Sequence, residues 1–340
     1  MPPGVTPNVV LRDNVLVLGE GTPLTLPVLG LTEEIPLPTV SDPVGNRPII
    51  TNVTGNAVTF ANNARFSGFD LRNITNGSAV VFNNVNRGRM DTVSIDGVTG
   101  AGAHGVSFSD SSGVFRINGL SINNTAGDAF RVTGGTANIT VSRSPDPTFV
   151  NGITNNSGFS FLALDAGGRV DFQQDAMIIN DDGGLGIDVR GTVLGASTID
   201  VIFDQVNLEN TNQAVASGAI DVINHSGSVV FQRDLLIDNN NGARINLDGL
   251  GPNATFRTQQ LVDIVNRNDI GIRMRNFSQG GPIPGNPGQN FRSSAVFQGN
   301  VNIAAAAGAN PLAAGVDFST LAGVASFGRN LTITNGGAQG

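Results

Sequence analysis

Short runs of alternating apolar and polar residues recur along this chain. The commonest run is a four-residue word, in which a small residue is followed by an apolar, a variable and a second apolar residue. It occurs first as AlaValThrPhe at 57–60 and last as GlyValAspPhe at 315–318. Period-two alternation is typical of short β-strands with one buried face. The second apolar residue of each word is predicted to point inward: Phe60, Phe82, Phe108, Val132, Phe161, Val189, Val222, Leu247, Met274 and Phe318.

The spacing of these words indicates a repeat protein. Successive words lie 22 to 33 residues apart, except for a final step of 44. Two further strand-like blocks fill each interval, for example SerValValPhe at 228–231 and LeuThrIleThrAsn at 331–335. No segment has a sustained helical period. A unit of three short strands cannot bury its apolar face alone, so neighbouring units must stack.

This pattern predicts an all-β protein, a right-handed parallel β-helix (solenoid) of about ten coils with three short strands per coil. Each strand would pair with its counterpart in the next coil, about 4.8 Å away. Residues 1–56 are expected to form an N-terminal entry or capping region, and residues 57–340 the β-helix. A β-sandwich also has many short strands, but it does not require the same word at every third strand.

Asn, Gly and Pro mark the expected turns. An Asn that follows the closing strand of a unit suits a bend, because Asn tolerates the left-handed backbone region. The segment 279–289 is rich in Pro and Gly and is expected to be an outward loop without regular structure. The C-terminal residues show no polar amphipathic cap, so we expect a longer parent chain or another subunit to cover the last coil.

Composition excludes several kinds of chemistry. The chain has no Cys, and all 19 basic residues are Arg, which removes thiolate nucleophiles, disulfides and lysine Schiff bases. Its two histidines, His104 and His225, are far apart in sequence, and both are expected in turns or at the surface. The net charge of −8 and the absence of a basic run argue against a nucleic-acid partner. No apolar stretch is long enough for a transmembrane segment, and no secretory signal begins the chain.

The repeat words over 57–335 resemble the pectate-lyase-like right-handed parallel β-helix superfamily. They are most similar to bacterial surface and autotransporter-type β-helix passenger proteins. This resemblance implies the fold for most of the chain, together with an extracellular or cell-surface location in a bacterium. It does not determine the function, because adhesins, lyases, hydrolases and phage tailspikes share the architecture.

The variable position of each word is predicted to point outward, so its residues should form a row along the axis. In the middle of this row, Asp188, Asp221 and the nearby Asp248 would lie among arginines. Stacked carboxylates could bind calcium, or Asp188 and Asp221 could act as an acid/base pair on a polysaccharide. A solvated ladder of aspartates relieved by flanking arginines is the third interpretation. The row is Thr59, Val81, Ser107, Arg131, Ser160, Asp188, Asp221, Asn246, Arg273 and Asp317, flanked by Arg190, Arg244 and Arg275.

The sequence therefore favours an extracellular structural or adhesive β-helix without catalytic residues or a required cofactor. Such a rod would serve surface display, attachment or fibre assembly. Its expected partners are copies of itself, neighbouring surface proteins and glycans. A polysaccharide-active lyase or hydrolase is the first alternative, and a tailspike-like trimer is the second.

Overall fold

The structure is a computed structural model that describes thirteen stretches of the chain, and these contain β-strands but no helix. The described residues are 8–19, 25–27, 34–36, 47–100, 102–154, 156–173, 178–182, 184–209, 219–240, 245–266, 270–283, 286–305 and 314–334.

The strands are short, apart from three long ones near the N-terminus. In the first half of the chain they are β1 (Val9–Val10), β2 (Leu16–Leu18), β3 (Thr25–Pro27), β4 (Glu34–Pro36), β5 (Ile49–Thr51), β6 (Val58–Thr59), β7 (Ala64–Thr75), β8 (Val80–Asn83), β9 (Arg87–Thr99), β10 (Val106–Ser109), β11 (Ser112–Thr125), β12 (Phe130–Thr133), β13 (Thr136–Ser142), β14 (Gly152–Thr154), β15 (Phe159–Leu164) and β16 (Arg169–Phe172). In the second half they are β17 (Ile178–Asp182), β18 (Gly186–Arg190), β19 (Asp200–Phe203), β20 (Gln205–Glu209), β21 (Ile220–Ile223), β22 (Ser228–Phe231), β23 (Leu235–Asn240), β24 (Ile245–Asp248), β25 (Thr255–Thr258), β26 (Val262–Asn266), β27 (Ile270–Phe277), β28 (Gln279–Ile283), β29 (Asn286–Arg292), β30 (Ser294–Phe297), β31 (Val301–Ala305), β32 (Ala314–Leu321), β33 (Val324–Phe327) and β34 (Leu331–Thr334).

Three parallel sheets run along the axis, and each coil contributes to all three. Sheet 1 has eleven strands, in the order β1-β6-β8-β10-β12-β15-β18-β21-β24-β27-β32. Sheet 2 runs from β2 through the first halves of β7, β9 and β11, and then through β13, β16, β19, β22, β25, β30 and β33. Sheet 3 runs from β5 through the second halves of β7, β9 and β11, and then through β14, β17, β20, β23, β26, β31 and β34.

The predicted parallel β-helix with three strands per coil is confirmed, and the sandwich alternative is wrong, because strands of successive coils pair in parallel. The number of coils differs slightly from the expected ten, since sheet 1 has eleven strands. The additional strand, β1, pairs with β6. The predicted boundary between 56 and 57 stays a prediction, but all three sheets extend across it through β1, β2 and β5.

Left-handed residues bend the chain between the sheets. Gly68, Thr92 and Gly119 occupy equivalent positions in β7, β9 and β11, with φ of 77°, 50° and 88°. This is the point where each long strand leaves sheet 2 for sheet 3. As predicted, Asn occupies several bends, including Asn73 and Asn124, with φ of 53° and 54°.

The core is a continuous apolar column that contains an aromatic spine. Phenylalanine rings contact one another from coil to coil, with successive centroids 4.1 to 5.9 Å apart. The spine begins on sheet 1 and crosses to sheet 2 where Phe161 meets Phe172 and Phe203 edge to face. Its members are Phe60, Phe82, Phe108, Phe130, Phe161, Phe172, Phe203, Phe231, Phe256, Phe297 and Phe327.

The segment 279–289 contradicts the expectation of an irregular loop. It contributes to an antiparallel hairpin in which Gln279 pairs with Arg292 and Ile283 with Asn286, with register shifts between. A two-stranded ribbon has free edges on both sides, so prolines that cannot donate a hydrogen bond are tolerated there. The hairpin connects sheet 1 to sheet 2 in the coil of β27 and β30.

Candidate functional site

The predicted outward row of sheet 1 exists, and its central part lies in direct register. Asp188 in β18 is paired with Asp221 in β21, and Asp221 with Asn246 in β24. On the N-terminal side the row contains Arg131 and on the C-terminal side Arg273. Arg244 lies outside the described residues.

One predicted member of the row is wrong. Ser160 is buried, and Leu162 takes the outward position, paired with Arg131 on one side and Asp188 on the other. The cause is an irregularity in β15, where the register shifts between Phe159 and Phe161. The shift places Phe161 over Phe130, so that the aromatic spine continues without a gap.

The aspartates of this row are buried, so the interpretation as a solvated ladder is wrong at its centre. Asp188 is 1% exposed and Asp221 0%. Arg190 donates from Nε to Asp188 Oδ1 over 2.7 Å and lies 3.8 Å from Asp221 Oδ2. Asn246 donates to Asp221 Oδ1 over 2.8 Å. The Arg190 guanidinium thus lies within 4 Å of both carboxylates and reduces their like-charge repulsion, as the sequence predicted for this row.

Burial raises the pKa of Asp188 to about 6, and the hydrogen bond from Arg190 opposes this increase. Asp221 raises the pKa further through its own charge. A carboxyl group with a pKa near neutrality is a familiar feature of catalytic sites. Catalysis also needs access, however, and Asp188 and Asp221 expose almost no surface to a polysaccharide. The acid/base pair therefore stays a prediction without an open groove to support it.

Asp248, the third calcium candidate, lies apart from the buried pair. It is half-buried, follows Leu247 on β24, and accepts a hydrogen bond of 2.7 Å from Asn276 Nδ2. Among the residues that the structure describes, no group of three or more His, Asp or Glu side chains could hold a metal ion.

A second polar cluster includes Arg131 of the outward row and was not predicted from the sequence. His104 Nδ1 accepts a hydrogen bond of 3.0 Å from the backbone N–H of Asp128 and lies 3.3 Å from Asp128 Oδ2. Arg131 NH1 lies 3.2 Å from both His104 Nε2 and Asp128 Oδ2. Burial lowers the pKa of His104, although the charge of Asp128 opposes the decrease. The available signal was positional, since His104 and Asp128 each immediately precede a strand word.

His225 lies in the connection between β21 and β22, in line with the expected turn, but it is buried rather than at the surface. Its Nδ1 lies 3.1 Å from Ser197 Oγ, and an isolated parallel bridge joins the two residues. Its Nε2 is buried and has no hydrogen-bond partner among the described atoms. Burial lowers the pKa of His225 to about 4. The neutral imidazole is therefore part of a coil-to-coil contact.

We expect His225 to make the protein less stable in acid. The folded-state pKa of about 4 lies below the usual 6.5, so the unfolded chain binds more protons in this window and stability falls as the pH falls through it. The Gln side chain of the variant His225→Gln can still hydrogen-bond, but it binds no proton in this pH range. Between pH 7 and pH 5 it should lose about 2 kcal/mol less unfolding free energy than the wild type does. Urea unfolding followed by far-UV circular dichroism at the two pH values tests this, and equal losses would contradict it.

The last described coil leaves apolar core positions uncovered. Phe318, Leu331 and Ile333 point inward on β32 and β34 and are 48%, 38% and 48% exposed. The residues that precede them by one coil in the same columns, Met274, Val301 and Ile303, are 0%, 0% and 1% exposed. The difference arises because each earlier coil has a neighbour on both sides.

No protein-family profile, no curated protein and no solved structure matches this chain. Within the described residues there is no helix long and apolar enough to cross a membrane.

Proposed function

We propose that this protein is a non-catalytic structural β-helix, a rigid rod that acts at the surface of or outside a bacterial cell and assembles end to end. The observation that carries the proposal is the uncovered apolar core at the last described coil. The aromatic spine supports the role of a rod, because it connects successive coils by ring contacts along the axis. The resemblance of the repeat words to surface and autotransporter-type passengers supports the location.

The proposed occupant of the open coil is the first coil of a second copy of this chain. Strands β1, β2 and β5 each pair with one described neighbour, so each of the three sheets ends there within the described part of the chain. The inward side chains of β1 and β2, Val9 and Val17, are half-buried and pack against the core. Because all three sheets are parallel, head-to-tail stacking would continue every ladder with the same strand direction. Contacts of this kind do not close on themselves and therefore build fibres.

The variant Ile333→Asp tests this proposal. A carboxylate on the open coil should oppose stacking, because closing the interface would bury an unpaired charge. We expect the wild type to form larger species with rising concentration in sedimentation velocity and short filaments in negative-stain microscopy, and Ile333→Asp to remain a monomer. Val324→Asp is the matched control, since Val324 lies on the same coil and is 44% exposed but points outward.

The outcomes are separable. If Val324→Asp assembles and Ile333→Asp does not, the result supports stacking through the inward apolar side chains of the open coil. A wild type that is monomeric at every concentration overturns the proposal. Closed dimers would contradict head-to-tail contact, and a concentration-independent trimer would favour the tailspike-like alternative. Circular dichroism of both variants establishes that they are folded.

A further inference from the structure

A groove on the outer face of sheet 2 collects four arginines near the N-terminus. Arg65, Arg89 and Arg116 are directly paired in β7, β9 and β11, so three guanidinium groups stack on consecutive coils. Arg87 lies two residues before Arg89 on the same face of β9. Together with Leu16 and Val114 they line a cavity of about 590 Å³. We call this cavity the arginine groove.

The described residues balance only part of the positive charge of the arginine groove. Asp91 pairs with Arg65 over 2.8 Å and with Arg89 over 2.9 Å, and it also accepts a hydrogen bond from Asn118. This carboxylate is buried. Arg87 and Arg116 are exposed and have no ion pair with any described residue. Among the described residues, four arginines and one aspartate leave three positive charges at the groove, in a chain whose net charge is −8.

Such an arrangement needs a reason, because like charges at directly opposed strand positions destabilise a sheet. Parallel strands lie about 4.8 Å apart, so the ladder offers cationic groups at a regular interval along the axis. Guanidinium groups bind carboxylate, phosphate and sulfate oxygens through two parallel hydrogen bonds. A ligand with anionic groups at successive positions would engage several arginines at once.

The lining favours a sugar over a nucleic acid. Leu16 and Val114 are exposed and provide apolar surface for the C–H faces of sugar rings. Asn63 Nδ2 donates to Asn14 Oδ1 over 2.9 Å, and the other amide atoms of this exposed pair can hydrogen-bond hydroxyl groups. Bases of a single strand need aromatic surfaces for stacking, and no aromatic side chain is among the described residues that line the groove. The net negative charge of the protein also opposes a long polyanion.

We propose that the arginine groove binds a short acidic oligosaccharide, whose carboxylate or sulfate groups lie against Arg87, Arg89 and Arg116. The site is on the outer face of sheet 2, whereas the proposed stacking surfaces are the open end formed by β32 and β34 and the edges of β1, β2 and β5. The groove shares β2 with the second surface, but the stacking test substitutes Ile333 and the binding test substitutes Arg87 and Arg116 on β9 and β11. Failure of either proposal therefore leaves the other intact.

Titration calorimetry at low salt with four probes tests this proposal: a six-residue oligouronate, a heparin-derived hexasaccharide, a single-stranded oligothymidylate and sodium sulfate. At least one oligosaccharide should bind at a single site, and its affinity should fall as the salt concentration rises. Comparison of the oligouronate with the heparin-derived hexasaccharide distinguishes recognition of carboxylate from recognition of sulfate. The double variant Arg87→Gln/Arg116→Gln should weaken binding at least tenfold. The matched control is Arg143→Gln/Arg257→Gln, which removes the same charge from exposed arginines outside the groove.

Three results would overturn the proposal. The first is the absence of saturable binding by both oligosaccharides at low salt. The second is an equal loss of affinity in the two double variants, which would mean that only net charge matters. The third is tighter binding of a single-stranded oligothymidylate than of either sugar, which would assign the groove to nucleic acid. All four substituted arginines are exposed, and circular dichroism establishes that each double variant is folded.

Discussion

Truncation of Phe108 to alanine should lower the unfolding free energy by about 3–5 kcal/mol, the range typical of a buried phenylalanine. Phe108 is 1% exposed and stacks on Phe82 with ring centroids 4.3 Å apart and an interplanar angle of 2°. Phe115 contacts the same ring edge to face at 5.1 Å, and Phe130 follows in the next coil. Alanine would leave a cavity between coils that rigid strands cannot close.

Phe318→Ala is the control for this prediction, because Phe318 occupies the same inward column of sheet 1 at the open end. Its side chain is 48% exposed, so its removal should cost less than about 1 kcal/mol in the monomer. Urea unfolding followed by far-UV circular dichroism measures both, since the chain has no Trp or Tyr to report by fluorescence. Equal losses in the two variants would show that the spine does not stabilise the coils. The experiment also tests whether the solenoid unfolds in one step, because repeat arrays can lose cooperativity.

The inward columns could be predicted from the sequence because period two determines which face a residue occupies once one face is buried. This is why the words at 57–60 and 315–318 correctly identified strands of sheet 1. The irregularity at Ser160 could not be predicted in the same way. The alternation of GlyPheSerPhe at 158–161 is compatible with an outward Ser160. Contact between the Phe130 and Phe161 rings instead favours the register in which Leu162 points outward.

The burial of Asp188 and Asp221 could not be predicted from the sequence either. Alternation shows that Asp188 and Asp221 point away from the core, but it does not show what packs on that side. The arginine groove was missed for a related reason. Arg65, Arg89 and Arg116 are more than twenty residues apart, so no basic run occurs, and only the register of β7, β9 and β11 places them together.

Replacement of Arg190 with methionine should destabilise the protein by about 3–5 kcal/mol at pH 7.5, the usual cost of leaving a buried charge without its partner. Among the described residues, Arg190 is the cation within 4 Å of both Asp188 and Asp221, and methionine keeps much of its apolar length. The matched control is Arg169→Met. Arg169 pairs with Asp171 at 2.9 Å with the same spacing of two residues, but the side chain of Asp171 is 22% exposed. Loss of that surface pair should cost less than about 1 kcal/mol.

The pH dependence of the Arg190→Met variant distinguishes lost charge compensation from lost packing. Burial already raises the pKa of Asp188 to about 6, above its usual 3.8, so the folded protein binds more protons than the unfolded chain between these values. The contribution of Asp188 to the unfolding free energy therefore increases as the pH falls from about 6 towards 3.8. Without Arg190 the pKa rises further, so the penalty of the variant should shrink between pH 7.5 and pH 5. Adding Asp188→Asn to Arg190→Met should recover part of the loss at pH 7.5. A penalty that is the same at both pH values and in the double variant would assign the role of Arg190 to packing alone.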